Sequence, residues 1–196
     1  MRITISLPYP GASPDGTVAA CARLAAAAED AGAHAISVSD HPFPLVVTGT
    51  PGHHTHDPFT LLGFIAAKTS SVRLQISLLV AGYRNPFLAA RLISTLDQVS
   101  DGRVTITVGA GYQQAEFAAL GVPFDERGQR VRDAPSAMRA AWAGEPVHGS
   151  GVGWTAEGNI LSPVCVQQPH PPLWRGGNSP AALAQVAREL DGWAAL

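Results

Sequence analysis

The sequence predicts an α/β fold of parallel strand–helix units, arranged as a (β/α) barrel rather than a doubly wound sheet. Three observations predict it. Apolar runs of strand length alternate with segments of helical periodicity, and polar residues gather where each strand ends. The first strand is not followed by the Gly-x-Gly-x-x-Gly phrase of a dinucleotide-binding fold. In such folds the active site lies at the carboxyl ends of the strands.

The clearest unit spans residues 73–117. Leu74–Val80 is an apolar run typical of a strand buried on both faces. Asn85 provides the cap of the next helix, which has a proline in its first turn and apolar residues along one face. After a turn at 101–102, Val104–Val108 forms the following strand, so the unit is a right-handed parallel crossover.

The remaining elements follow the same alternation. The predicted strands are Ile3–Leu7, Ala35–Ser39, Pro172–Arg175 and Gly192–Ala195, and the predicted helices are Thr17–Ala31, Phe59–Lys68, Asp125–Ala143 and Ala181–Glu189. We expect Pro135 to interrupt or delay its helix, and residues 144–168 to form an irregular hairpin or insertion that covers one mouth of the barrel. The resulting six strands form a single domain over residues 1–196, two units short of an eight-stranded barrel.

Composition narrows the function classes. Charged residues make up 14% of the 196 residues, against about 25% in an average protein. We therefore expect an apolar surface that a subunit interface covers. A net charge of −2 with no basic cluster argues against nucleic acid, and the absence of a long apolar span argues against a membrane protein. Cys21 and Cys165 are expected to be reduced and buried, in a cytoplasmic protein.

The run LDQVSDGRVTITVGAGYQQAEFAALGVPFDERG resembles the luciferase-like flavin monooxygenases, and more narrowly their relatives that use the deazaflavin coenzyme F420. Leu96–Arg103, an LD-hydrophobic-S-x-GR phrase, is the most specific part, and the VGAGY…EF loop follows it. The resemblance implies a TIM barrel of luciferase-like type, truncated to about six βα units. It also implies hydride transfer, or oxygen insertion with a true flavin, on a small organic substrate. The residues of these motifs favour F420 over FMN as the cofactor.

The loop Gly176-Gly177-Asn178-Ser179 is the candidate phosphate site. Glycines let backbone N–H groups approach an anion, and the helix that follows adds its dipole. From the residues alone, a tight turn that needs glycine only for its geometry is an equal alternative. In the family that the chain resembles, this loop holds the phosphate end of the flavin. We expect Gly177→Val to crowd the loop and weaken cofactor binding.

Asp40 and His41 are the candidate catalytic residues, because they end the second strand at the face where catalytic groups gather. The resemblance places this position near the flavin ring. The alternative is that Asp40 caps the loop through hydrogen bonds to nearby backbone.

Further candidate cofactor-binding residues follow the third and fourth strands. Ser77 and Leu78 align with a non-prolyl cis peptide of the family, which only the resemblance implies. The others are Tyr83, Asn85, Gly109 and Gly111, where glycines would leave room for a flat ring. Asp97, Arg103 and Glu116 are expected to serve structural pairing and capping at other levels of the barrel.

Two alternatives remain open. His53, His54, His56 and Asp57, together with His41, would suit a metal-dependent hydrolase, although neighbouring histidines point apart and a polar loop capped by Asp57 is the favoured interpretation. No metal site is therefore predicted. The second alternative is a truncated, non-catalytic barrel that binds a cofactor or serves only a structural role.

An incomplete barrel leaves Ile3–Leu7 and Gly192–Ala195 as sheet edges that invite pairing with another chain. We therefore expect a homodimer, consistent with the resemblance, whose members commonly dimerise through early helices. We also expect low cofactor affinity, because the missing units would have formed one wall of the pocket.

Overall fold

A computed structural model describes residues 1–10, 16–45 and 54–195 of the chain. The main sheet has six strands in the order β1-β2-β3-β4-β7-β8, and every neighbouring pair is parallel. Its strands are β1 Thr4–Ser6, β2 Ala35–Val38, β3 Arg73–Val80, β4 Val104–Gly109, β7 Leu173–Gly176 and β8 Gly192–Ala194. The helices are α1 Val18–Asp30, α2 Pro58–Ala66, α3 Pro86–Val99, α4 Gln114–Ala119, α5 Arg127–Trp142 and α6 Pro180–Glu189. The predicted barrel-type arrangement of six parallel strands is confirmed, with β1 and β8 at its edges.

The two faces of the sheet differ in chemistry. Ile36, Ile76 and Ile106 lie on the face that packs against the helices and are fully buried in one apolar core. Alternate positions carry polar side chains that bond across neighbouring strands. Ser6 and Ser37 lie 3.0 Å apart between their hydroxyls, Gln75 donates to Thr107 at 3.2 Å, and Arg73 donates to Thr105 at 3.1 Å. The inner, barrel-side face is therefore polar, and the stability of the sheet rests on its outer face.

Helix α5 corrects one expectation. Pro135 lies inside it, yet the helix runs unbroken from Arg127 to Trp142. A proline removes the N–H that would bond the carbonyl four residues earlier, here that of Val131. That carbonyl instead accepts from Gln185 Nε2 of α6 at 3.5 Å, and the adjacent Arg132 carbonyl accepts from the same nitrogen at 3.1 Å. A neighbouring helix thus supplies the bond that the sequence pattern could not reveal.

Residues 144–168 contain the predicted hairpin, and Gln167 near the end of this segment reaches the amino-terminal end of the sheet, where its amide donates to the Val104 carbonyl at 2.9 Å. Strands β5 Val147–Gly151 and β6 Trp154–Asn159 pair antiparallel and lie against α3 and α5. Trp154 meets the Phe87 ring edge-on at 5.0 Å between centroids. The hairpin therefore extends the helical layer, because its half-buried aromatic side finds apolar surface there.

Other expectations about the interior hold. Cys21 and Cys165 are free thiols and buried, and burial raises the pKa of Cys165 to about 12, with a smaller contribution from the nearby Asp97 charge. Arg103 donates to the carbonyls of Ala66 and Val72, so its structural role is confirmed. Within the described ranges no helix has both the length and the apolar character needed to cross a bilayer.

Candidate active site

A cavity of about 570 Å³ lies at the carboxyl ends of the parallel strands. Its size is that of a small-molecule site. It is lined by the ends of β2, β3, β4 and β7 and by the start of α6, through Tyr9, Ser39, Asp40, His41, Ser77, Leu78, Val80, Ala110, Gly111, Tyr112, Arg175, Gly176, Gly177, Asn178, Ser179 and Ala182. The topology explains this gathering, since parallel strands bring all their carboxyl ends to the same edge of the sheet.

His41 is the basic side chain at the β2 end of this cavity, and Glu116 holds its ring. The Nδ1 atom lies 3.0 Å from Glu116 Oε2, while the Gln113 amide nitrogen is more distant at 3.4 Å. A carboxylate only accepts hydrogen bonds, so an ionised Glu116 requires the proton of neutral His41 to sit on Nδ1. Nε2 is then the ring atom that can accept a proton from a bound molecule.

Glu116 is itself fixed from three sides. It is fully buried and also accepts from the Tyr83 hydroxyl at 2.6 Å and from the Phe43 amide at 3.0 Å. Burial raises the pKa of Tyr83, and the hydrogen bond to Glu116 and its charge raise it further, so the hydroxyl remains a donor at ordinary pH. Tyr83 does not line the cavity, and it acts on His41 only through Glu116.

Asp40 lines the cavity but its carboxylate is already engaged. Arg84 holds it with two hydrogen bonds, Nη1 to Oδ2 at 2.6 Å and Nη2 to Oδ1 at 2.8 Å. The Val80 amide adds a third at 3.2 Å, and the Arg84 guanidinium lies over the Phe59 ring at 5.4 Å. Burial opposes the charge of Arg84, but the contacts with Asp40 outweigh burial and raise the pKa of Arg84. Arg84 is therefore a partly buried partner of Asp40, and the pair holds the end of β2 against β3.

The loop 176–179 enters α6 at the edge of the cavity. Gly177 has φ of +108°, and its amide donates to the Ala194 carbonyl at 3.3 Å. Ser179 caps α6 by accepting from the Ala182 amide at 3.2 Å. The N–H of Gly177 is therefore committed to the sheet. What faces the cavity is the first turn of a helix, whose dipole stabilises an anion. Its amides contribute little, because Pro180 has no N–H and the amides of Ala182 and Leu183 donate to Ser179.

The peptide between Ser77 and Leu78 is cis, as the resemblance implied, and the register of β3 with β4 shifts at this point. Both residues line the cavity. A Cβ on Gly109 would come within 2.6 Å of the Leu78 side chain, and one on Gly111 within 2.7 Å of Val80. These glycines make room for neighbouring side chains.

The structure separates the predicted site residues into two groups. Nine line the cavity: Asp40, His41, Ser77, Leu78, Gly111, Gly176, Gly177, Asn178 and Ser179. Three do not: Tyr83 lies behind Glu116, Gly109 lies under Leu78, and Asn85 caps α3 through the Phe87 amide at 2.9 Å.

Glu116 was predicted to act at another level of the barrel, and this was wrong. It lies at the carboxyl end of the sheet, in contact with His41. Its place in the segment that follows β4, where α4 begins, was the available signal, because the segments that follow parallel strands start at the same face of the sheet. Arg175 was also missed, since it follows Trp174 inside a strand rather than in a loop.

The histidine cluster gives no sign of a metal centre. Within residues 1–10, 16–45 and 54–195 no three metal-ligating side chains are grouped closely enough to hold an ion, and His53 lies outside these ranges. His56 Nε2 lies 3.0 Å from the Gly16 carbonyl. Asp57 accepts from the Thr60 amide at 2.8 Å and so caps α2, which confirms the capping interpretation.

Comparison with known proteins identifies proteins that are similar to this chain in sequence and in fold. Over 146 residues the chain is 30% identical to an FMNH₂-dependent dimethylsulfone monooxygenase of Pseudomonas putida, covering 73% of the chain and 40% of that protein. It is 34% identical over 142 residues to an uncharacterized protein of Mycobacterium tuberculosis, covering 71% and 49% of the two chains.

Among solved structures, the monooxygenase RslO1 of Streptomyces bottropensis superposes with a TM-score of 0.83 at 28% identity, over 96% of this chain and 57% of that one. A coenzyme F420-dependent tetrahydromethanopterin reductase of Methanopyrus kandleri shares the fold, with a TM-score of 0.80 at 22% identity, over 99% of this chain and 55% of that one. The chain thus spans about half the length of the proteins it matches. The family model described as luciferase-like monooxygenase matches residues 1–196, and the chain belongs to that family.

Proposed function

We propose that this chain forms the cofactor-binding half of an oxidoreductase that uses a flavin or deazaflavin to transform a small organic substrate. One observation carries the proposal: His41, oriented by buried Glu116, shares a single cavity with the first turn of α6. A proton-transfer group and an anion-stabilising helix end are what a phosphorylated redox cofactor and its substrate require.

The residues present fit such a cofactor. Gly176, Gly177 and Ser179 shape the helix entrance that would take its phosphate, and Ser77 and Leu78 provide a wall farther along the same cavity. When bound, the cofactor supplies the hydride or oxygen chemistry, and the protein positions it.

His41 carries the proton transfer in this proposal. Its Nε2 gives a proton to, or takes one from, the substrate, while Glu116 keeps the ring in the required tautomer. Asp40 is a positioning residue, because moving a proton through its carboxylate would first require breaking both bonds to Arg84.

The choice between cofactors follows the motifs and the relatives. The residues of the luciferase-like motifs favour F420, and the F420-dependent reductase of Methanopyrus kandleri shares the fold. The P. putida relative is named for FMNH₂. We propose F420 as the preferred cofactor and FMN as the alternative, with secondary alcohols and sulfones as the first substrates to test, by analogy with a matched F420-dependent secondary alcohol dehydrogenase and that relative.

Absorption titration of the chain with F420 and with FMN, followed by turnover of those substrates, tests the proposal. We expect His41→Gln to bind cofactor as the unchanged chain does and to lose about 10²-fold or more in turnover. Full turnover by this variant would reject the role of His41. Failure of both cofactors to bind would favour a non-catalytic barrel.

A further inference from the structure

Arg175 is a cation at a position where the sheet is otherwise apolar. On β7 it follows Leu173 by two residues, and it pairs in register with Val108 of β4, so it lies on the face that packs against the helices. Leu173 and Val108 are fully buried, and Arg175 is 7% exposed. A guanidinium keeps its proton at any physiological pH, and burying one without a counter-charge is costly.

The partners of Arg175 are neutral polar groups, an amide side chain and two backbone carbonyls. Its Nε donates to Gln185 Oε1 at 3.3 Å, and its Nη1 donates to the carbonyls of Val108 at 3.4 Å and of Gly176. Within the described residues no carboxylate forms an ion pair with Arg175. Burial accordingly lowers the pKa of Arg175, in contrast to Arg84, which has Asp40.

One nitrogen of the guanidinium remains available. Arg175 Nη2 has no hydrogen bond with any described residue, and no enclosed side-chain nitrogen of the described ranges lacks a partner. Nη2 therefore keeps contact with solvent, and Arg175 lines the cavity beside Gly176, Gly177 and Ser179. One cavity is therefore lined both by a positively charged residue with a free donor and by the positive end of α6.

We propose that Arg175 is a phosphate-binding residue, which completes with the first turn of α6 a site for the phosphate of the bound cofactor. The proposal rests on the proposed function and deepens it. FMN carries this group as a monoester and F420 as a diester, and Arg175 serves either one, since a guanidinium fork fits phosphate oxygens. Gln185 and the two carbonyls hold the fork in place before the anion arrives.

Ring-matched ligand pairs test this. FMN is compared with riboflavin, and F420 with its ribityl deazaflavin core, which lacks the phosphate and the groups beyond it, on the unchanged chain and on Arg175→Gln. The ratio of the two Kd values within a pair is the readout, because a general loss of folding affects both ligands alike. Arg188→Gln, which removes an exposed charge from α6, is the matched control.

We expect the unchanged chain and Arg188→Gln to prefer the phosphorylated ligand, and Arg175→Gln to reduce that preference about tenfold or more. An undiminished preference would overturn the proposal. If Arg175→Gln does not fold, Arg175→Leu suits the surrounding apolar side chains and receives the same test.

Inorganic phosphate separates this proposal from the proposed function. It should raise the Tm of the unchanged chain and raise that of Arg175→Gln much less. If this difference is found but neither FMN nor F420 binds, the phosphate site would be supported and the proposed oxidoreductase function rejected. Equal shifts in the two proteins would overturn the role of Arg175.

Discussion

Gln185 donates a hydrogen bond to the carbonyl of Val131, the group that Pro135 leaves without a partner in its own helix. The same side chain accepts from Arg175 at the edge of the cavity. One buried amide therefore joins α5, α6 and β7, and connects the stability of the helical layer to the candidate phosphate site.

Replacing Gln185 by Leu should lower the free energy of unfolding by about 1–3 kcal/mol, because it leaves a buried carbonyl unsatisfied. In the Pro135→Ala background the loss should be smaller, since the restored N–H can bond the Val131 carbonyl. Urea unfolding of the four proteins measures this coupling, with Gln114→Leu as the exposed control. Equal losses in both backgrounds would contradict the pairing.

Glu116→Gln should release the tautomer of His41. In the unchanged chain we expect neutral His41 to be protonated on Nδ1, because Glu116 Oε2 lies 3.0 Å from that atom. Without the carboxylate both tautomers should be populated. Nitrogen-15 chemical shifts of the imidazole, assigned with His41→Gln, report the change without a substrate. Glu126→Gln, remote from the cavity, should leave the shifts unaltered, and an unaltered pattern in Glu116→Gln would refute the orienting role.

Glu29 should make the free energy of unfolding depend on pH in the acidic range. Burial alone would raise its pKa, but the amides of Val72, Ser71 and Ser70 donate to its carboxylate and lower the pKa from 4.5 to about 2. The ionised form is favoured in the folded state, so its contribution is complete above pH 4.5 and declines as the pH falls towards 2.

The difference in urea midpoint between the unchanged chain and Glu29→Gln should therefore be largest near neutral pH and shrink below pH 4.5. Asp30→Asn, the exposed neighbour, should show no such trend. A difference that stays constant from pH 7 to pH 3 would exclude the carboxylate as its source.

Gly177→Ala should lower the free energy of unfolding by about 1–2 kcal/mol. A Cβ at Gly177 would meet no atom within 4 Å, so backbone strain at φ +108° rather than crowding is the cause. Gly63 has the same open space without a positive φ, and Gly63→Ala should be neutral or stabilising. Thermal unfolding of the pair isolates the backbone effect, and equal stability of the two variants would contradict it. The preference for phosphorylated over unphosphorylated ligand should also fall in Gly177→Ala.

We propose that the chain associates with a second copy through α2 and α3. Phe64, Leu88 and Val99 are 43%, 55% and 57% exposed there, an unusual concentration of apolar surface on two adjacent helices. Val99→Glu should shift sedimentation towards the monomer, whereas Leu183→Glu, at an exposed apolar position on α6, should not. Identical sedimentation of both variants and the unchanged chain would reject this interface.

The sequence by itself determined the local elements and the end of the sheet where the site lies. Apolar runs and the repeated cap-plus-proline signals fixed the six parallel strands and the starts of α2, α3 and α6, because these depend on neighbouring residues only. Parallel topology then placed Asp40, His41 and the 176–179 loop at a common edge.

Tertiary structure alone decided which partners these groups have. Asp40 is neutralised by Arg84, 44 residues away, and His41 is oriented by Glu116, 75 residues away. The continuity of α5 through Pro135 depends on Gln185, 50 or more residues beyond the bonded carbonyls. Such pairings depend on packing distances between separate elements, and periodicity within one element carries no information about them. Arg175 shows the same limit: its strand was predicted, while its burial without a counter-charge exists only in the folded chain.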